Sequence, residues 1–280
     1  MDVRTLKDRV FTVVVVLVAF MAILPVFHII AYITWKGLPV ILDNGISFFI
    51  EIPAPVVAER PGGIAPAIAG TLFMTLTATI IAVPLATLAA IFSVEFPNHV
   101  LTRAVRVTSR SLLEIATILI GMLVFILVVL PLGRFTALAG ALALAIVMIP
   151  YVYTYVELAL LSVPKTYIEA AYAIGMRRAQ VIFYVTLRIA RRGIARGATI
   201  AITKAIGETA PLLFTAFGAR SIIFGGLLEP ADALPLMIFQ FIQTPYDNWR
   251  ALAWGGAFTL LILYITVFVF ARVMVKEVKY

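Results

Sequence analysis

The sequence contains no cysteine. That excludes a disulfide framework, a thiol nucleophile and a cysteine metal site. Histidine is nearly absent: His28 falls in an apolar segment and His99 in a loop, expected on opposite sides of a membrane. There is no His-Glu-x-x-His, no Gly-x-Ser-x-Gly and no Walker loop, so the common hydrolase and nucleotide-binding signatures are missing. Charge is scarce as well: 13% of residues are charged, against about 25% in soluble domains. What fills the space is apolar. Hydrophobic residues make up 63% of the 280 positions and mean hydropathy is +1.08. One globular core cannot hide that much apolar surface, so lipid must act as solvent. The length suits about six spans of ~20 residues with their loops.

The spans can be placed by charge and length. Met1–Arg9 is basic, and Val10–Trp35 is a retained first span, too long for a signal peptide, with Pro25 as a kink point. Lys36–Gly63 is rich in Pro and Gly and reads as an external loop carrying Asp43, Glu51 and Glu59. Further spans are expected near 67–92, 112–130, 136–158, 197–217 and 251–271. The second is lined by Gly70, Thr71, Thr75, Thr77, Ala78 and Thr79, which let membrane helices approach closely. The apolar stretch 233–243 is too short to cross and is expected as an interfacial or re-entrant helix. Trp35, Trp249 and Trp254 fall near the external interface, as an aromatic belt requires.

Charge also orients the chain. The N-terminus, the 95–110 loop, the 162–196 loop and the C-terminus carry sixteen Lys and Arg together, against five on the other side. Both termini are therefore expected in the cytoplasm. The net charge of +8 sits at the ends of apolar segments, which speaks for basic loops held inside rather than for a nucleic-acid partner. Glu114 and Glu157, near inner span ends, are expected to be interfacial or packed against arginines.

Two stretches carry unusual chemistry. The first is the loop from Pro164, where a helix can start near Lys165, with small residues at Ala170, Ala171 and Ala173 and a breaker at Gly175. A second, basic helix is expected from Met176 to about Arg188, with Gly193–Gly197 as the only break between the loop and the fifth span. On these residues alone the loop is either a surface helix meeting anionic headgroups or a protein-docking surface. The second stretch is the fifth span. A charge at mid-membrane costs about 2.5–3.5 kcal/mol on insertion scales, yet Lys204 and Glu208 both lie there, four apart and able to pair. Gly207 and Pro211 follow; Pro211 has no N–H for the carbonyl of Gly207. This is either a structural ion pair between packed helices or the path or gate of a polar solute.

Both stretches resemble one family. Glu169-Ala170-Ala171, then Gly175, Val185 and Leu187, is similar to the coupling loop of ABC importer permeases; Arg188 stands where the family has Pro. Lys204 through Ala216, with Gly207-Glu208-Thr209-Ala210-Pro211 at its centre, resembles the A-type (PstA-type) permease of the high-affinity phosphate importer. Gly62–Leu72 and Pro245–Trp254 extend the likeness, so it covers about Gly62 to the C-terminus. Lys204 stands where the family usually has Arg; it keeps the charge and loses the bidentate fork.

The resemblance implies an all-α, polytopic membrane protein of six transmembrane helices with the type I importer permease (MetI-like) fold. The expected division is an N-terminal helix and loop over 1–63, a permease domain over 64–272 and a cytoplasmic tail over 273–280. It implies coupling to ATPase subunits through Glu169, Ala170, Ala171 and Gly175. It also implies a path or gate at Lys204, Gly207, Glu208, Thr209 and Pro211. The expected partners are a second phosphate permease, two ATP-binding subunits, an external phosphate-binding protein and membrane lipid. No cofactor is expected, since ATP is bound by the partner subunits, and no enzymatic activity. A permease for another oxyanion, molybdate or sulfate, and an intramembrane enzyme using Glu208 and Lys204 remain as alternatives.

Overall fold

The computed structural model describes residues 3–58 and 60–274. Glu59 and the basic end Lys276 and Lys279 lie outside them, and the side chains of Arg4 and Arg272 are not described. Among the described residues the chain is helical: α1 Val3–Asn44, α2 Ser47–Ile50, α3 Ala65–Glu95, α4 Val100–Glu114, α5 Thr117–Val124, α6 Leu130–Leu132, α7 Ala137–Leu161, α8 Lys165–Ala173, α9 Arg178–Gln180, α10 Leu187–Ile206, α11 Ala210–Leu213, α12 Leu234–Ile242 and α13 Asp247–Met274. Two π-helical segments, Phe125–Val129 and Val181–Thr186, join α5 to α6 and α9 to α10.

The central element is α7. It packs against α3 on one side and α10 on the other, and most of its apolar window is buried. The α3 contact is built on small residues every fourth position, Ala78, Ala82, Ala86 and Ala90, all fully buried behind Met74. That spacing makes a smooth stripe along one helix face, which allows close approach without a large interdigitating side chain. It meets Ala137, Ala141, Ala145, Met148 and Val152 of α7. A second cluster joins Phe48 and Ile64 to Met237 and Phe241 of α12 and Leu252 of α13. Elsewhere α1 and the outer faces of α3, α5 and α13 present large apolar side chains outward, among them Phe20, Phe27, Leu76, Ile80, Leu123 and Phe268.

Four helices among the described residues are long and apolar enough to cross a membrane, and the bent pair α4 and α5–α6 is a fifth if taken as one. With these apolar helices the chain is a multi-pass membrane protein. The expected fifth span, 197–217, is formed differently from the prediction. Gly193 and Gly197 were expected to break the chain between the basic loop and the span, but α10 runs through both. Their missing side chains serve packing instead. A Cβ at Gly193 would collide with Ala159 of α7, and one at Gly197 would lie 2.7 Å from the Tyr155 Cβ. The helix therefore carries Arg188, Arg191, Arg192 and Arg196 in its first half, too much charge for an apolar span, and its last turns continue into α11.

Three other boundaries differ. The first helix does not stop at Trp35 but continues to Asn44, because Gly37 lets α1 lie against the Trp254 carbonyl of α13, 2.5 Å from where a Cβ would stand. Residues 112–114, expected to open the third span, belong to α4. The chain then turns by 109° before α5. α4 is amphipathic and carries Arg103, Arg106 and Arg110, as a helix at a membrane surface does. Finally, the basic helix expected over 176–188 is the start of one helical run, α9 through α10.

Candidate functional site

The Lys204–Glu208 pair sits where a helix ends inside the bundle. Lys204 Nζ lies 2.6 Å from Glu208 Oε1; the lysine side chain is 44% exposed and the glutamate 6%. α10 stops at Ile206, and the amides of Gly207 and Glu208 close the last turn onto the carbonyls of Lys204 and Ala205 at 3.2 and 3.1 Å. Thr209 precedes α11, which opens with Ala210 and Pro211, a position where the missing N–H costs nothing. The break is crowded by three neighbours. A Cβ on Gly207 would overlap the Tyr264 hydroxyl of α13, so only glycine admits that ring. A Cβ on Gly121 of α5 would lie 2.6 Å from the Pro211 Cα. Thr215 donates to the Pro211 carbonyl at 2.8 Å.

The stretch with the expected coupling residues starts as a helix, α8, from Lys165 to Ala173 after Pro164. Its end is closed by two bonds. The Gly175 amide donates to the Tyr172 carbonyl at 2.9 Å and the Met176 amide to the Ala171 carbonyl at 3.2 Å, with Gly175 at φ +83°. These are the two bonds of a Schellman motif, and the left-handed residue is the glycine that tolerates it. Glu169, Ala170 and Gly175 face outward with Tyr167, Tyr172 and Ile174, whereas Ala171 is buried against the chain's own body. The four residues of the motif are thus divided: three are open to a partner and one fixes α8 to the permease. Glu157 pairs with Arg106 of α4 at 2.8 Å, the arginine neighbour expected of it. Glu114 ends α4.

Sequence reasoning missed a cluster in the 218–250 connection, at the opposite end of α3 from α8. Asp232 is fully buried and Arg220 Nε lies 3.6 Å from its Oδ2. The Arg220 guanidinium also donates to Gln240 Oε1 and stacks 4.5 Å over the Phe241 ring. Asp232 Oδ1 accepts from the Ala233 amide at 2.8 Å. A Cβ on Gly70 would collide with the Asp232 carbonyl, and the Thr71 hydroxyl accepts from the Leu234 amide at 2.8 Å. Burial outweighs the arginine and the amide and pushes the Asp232 carboxyl up to about 6. The signal available in sequence was a lone acid between Ala231 and Ala233, at the edge of an apolar run. The 233–243 stretch is the short helix α12, as expected.

Residues 66–280 match the family model of the binding-protein-dependent transport system inner membrane component. The chain belongs to that family. Within it, a PstA phosphate transport permease of Methanocaldococcus jannaschii is 45% identical over 98% of this chain and 96% of its own length. PstA permeases of Xylella fastidiosa and Pasteurella multocida are 37% and 32% identical over 87% and 98% of this chain, and 84% and 96% of theirs. The relatives are transport permeases. The fold is also that of solved importers. A MetNI methionine ABC transporter in an inward-facing form matches with TM-score 0.58, 21% identity, and coverage of 76% of this chain and 92% of that one. An amino acid ABC transporter with histidines matches with TM-score 0.55 at 16% identity, over 75% and 91%.

Proposed function

We propose that this chain is the A-type permease subunit of an ATP-driven phosphate importer. The observation that carries the substrate is the 45% identity to a phosphate transport permease over nearly the whole of both chains. The break at Gly207 supports a path there. It places a cation that is nearly half open beside a buried acid, with Thr209 next in the chain, where a polar solute needs partners and lipid offers none. Lys204 attracts the anion, and Glu208 accepts a proton from a protonated oxyanion or repels a fully ionised one.

In this reading the path forms between the chain and a second permease, with two ATP-binding subunits on the cytoplasmic side and a phosphate-binding protein outside. Both termini are cytoplasmic, as the excess of lysine and arginine in the inner loops requires. The outward Glu169, Ala170 and Gly175 dock on an ATPase, and Ala171 anchors their helix. The chain itself neither binds nor hydrolyses ATP and needs no cofactor.

The test is uptake of labelled phosphate by vesicles holding the whole complex, with ATP inside and unlabelled competitors outside. ATP-dependent accumulation unaffected by a tenfold excess of sulfate or molybdate is expected. Suppression by either anion gives the path to that oxyanion. Turnover of a substrate by the purified chain, with no ATPase present, replaces the transporter with an intramembrane enzyme.

A further inference from the structure

Motion passed to α8 by a docked ATPase has an obvious route, along the continuous helical run into α10 and Lys204. The structure offers a second. Immediately after the Gly175 turn, the Arg177 amide donates to Gln180 Oε1 at 2.8 Å and fixes the start of α9. This aims Arg178 sideways at the last residue of α3. Arg178 Nε donates to Glu95 Oε2 at 2.6 Å and Nη2 to the Glu95 backbone carbonyl at 2.7 Å. The same guanidinium lies 4.4 Å from the centre of the Phe96 ring. One side chain thus caps a helix carbonyl that has no partner within its helix, neutralises the acid at a helix C-terminus and stacks on the next ring. A half-exposed ion pair alone contributes little. Three different contacts from one planar fork fix direction as well as distance, which lysine cannot do.

The end of α3 that Arg178 holds is itself cross-linked. Tyr153 of α7 donates to Ser93 at 3.0 Å. The Thr102 hydroxyl of α4 donates to the Phe96 carbonyl at 2.6 Å. Arg106 of α4 pairs with Glu157 of α7 at 2.8 Å. The inner ends of α3, α4 and α7 therefore form one braced unit. At its other end α3 carries Gly70 and Thr71, seated on Asp232 and Leu234. A continuous helix of 31 residues with Pro84 inside it, about 46 Å at 1.5 Å per residue, joins the two.

We propose that Arg178 is a positioning residue that latches the coupling segment to the inner end of α3. Displacement of α8 then moves the α3–α7 pair as well as α10, and reaches the Asp232 end through α3. This rests on the assignment of α8 as the coupling helix. The residue touches neither solute nor nucleotide; it sets how much of the motor's motion the helices receive.

The test measures phosphate accumulated per ATP hydrolysed in vesicles holding the complete complex, together with retention of the ATPase subunits on purification. In Arg178→Gln and in Glu95→Gln the ratio falls by about fivefold or more while the ATPase subunits stay bound. The exchanged pair, Arg178→Glu with Glu95→Arg, restores the ion pair but not the contacts to the residue-95 carbonyl and the Phe96 ring, so the ratio recovers only in part. An unchanged ratio in both single variants overturns the latch. So does loss of the ATPase subunits in them, which makes Arg178 a docking contact, and so does an exchanged pair no better than the single variants. Glu169→Lys, run alongside, separates the two assignments. If it leaves ATPase binding and transport intact, the coupling assignment falls and the latch with it. If it uncouples while the Arg178 variants behave as wild type, the latch alone falls.

Discussion

Two of the acid–base pairs among the described residues, Lys204–Glu208 and Arg220–Asp232, differ in what surrounds them. Lys204 and Glu208 are 2.6 Å apart on adjacent turns, with the lysine side chain 44% exposed. Arg220 and Asp232 are 3.6 Å apart, with the acid fully buried, and they are held by Gln240, the Phe241 ring and the Ala233 amide. The shorter pair is the less constrained one. Lys204 can swing from Glu208 to water or to an anion, and the contacts of Gly207, Thr209 and Pro211 survive. Asp232 cannot move without releasing Arg220, the start of α12 and the backbone beneath Gly70. Proximity of charges therefore does not mark the structural pair; the number of other groups that depend on each charge does.

Substitution at the two pairs separates them. Asp232→Ala leaves Arg220 without its acid in a largely buried site, and removing one partner of such a pair costs about 3–5 kcal/mol. A clear drop in the thermal unfolding midpoint of the purified complex is expected, with uptake falling only as the folded fraction falls. At the helix break the pattern reverses. Lys204→Ala and Glu208→Gln keep the unfolding midpoint and the full set of subunits, while uptake falls about tenfold, the size of a ~1.4 kcal/mol loss in the rate-limiting state. Equal loss of midpoint in both sets of variants removes the distinction and returns Lys204 and Glu208 to a structural ion pair.

The parts legible in sequence were those decided within one helical turn or by one residue's backbone. Lys204 and Glu208 pair because they are four apart. Gly175 terminates α8 because it alone in that stretch tolerates φ +83°. Pro164 opens that helix and the apolar run of α12 is too short to cross, both as expected. What was not legible depends on distant partners. Gly193 and Gly197 look like a break until α7 is packed against them. Ala171 reads as part of an outward motif until the body of the permease buries it. Nothing near Arg178 announces Glu95, 83 residues earlier, and the Arg220–Asp232 cluster needs α12 folded back over it before the charges meet. In the expected fifth span, 197–217, the glycine and proline that interrupt the helix are legible at Gly207 and Pro211. Its start is not, because tertiary packing keeps a basic helix intact through Gly193 and Gly197.

The smallest expected effect is a pH dependence confined to one pair. The Asp232 carboxyl is pushed up to about 6 from an ordinary value of 3.8, burial being the largest cause. An acid whose pKa is raised on folding binds its proton more tightly in the folded protein than in the unfolded chain. Its contribution to stability is therefore full below pH ~4 and is lost as pH rises through about 6. Between pH 7 and pH 5 that linkage amounts to about 1 kcal/mol of added stability on acidification. Arg220 faces the carboxyl and stays charged throughout, with Gln240 alongside it, so the titrating group in the cluster is Asp232. In Asp232→Asn, which keeps the shape and cannot ionise, the rise in unfolding midpoint from pH 7 to pH 5 should shrink by that amount relative to wild type. Lys204→Ala should leave the rise as it is. A rise that persists unchanged in Asp232→Asn places the titration elsewhere and makes the Arg220–Asp232 cluster a pair charged at both pH values.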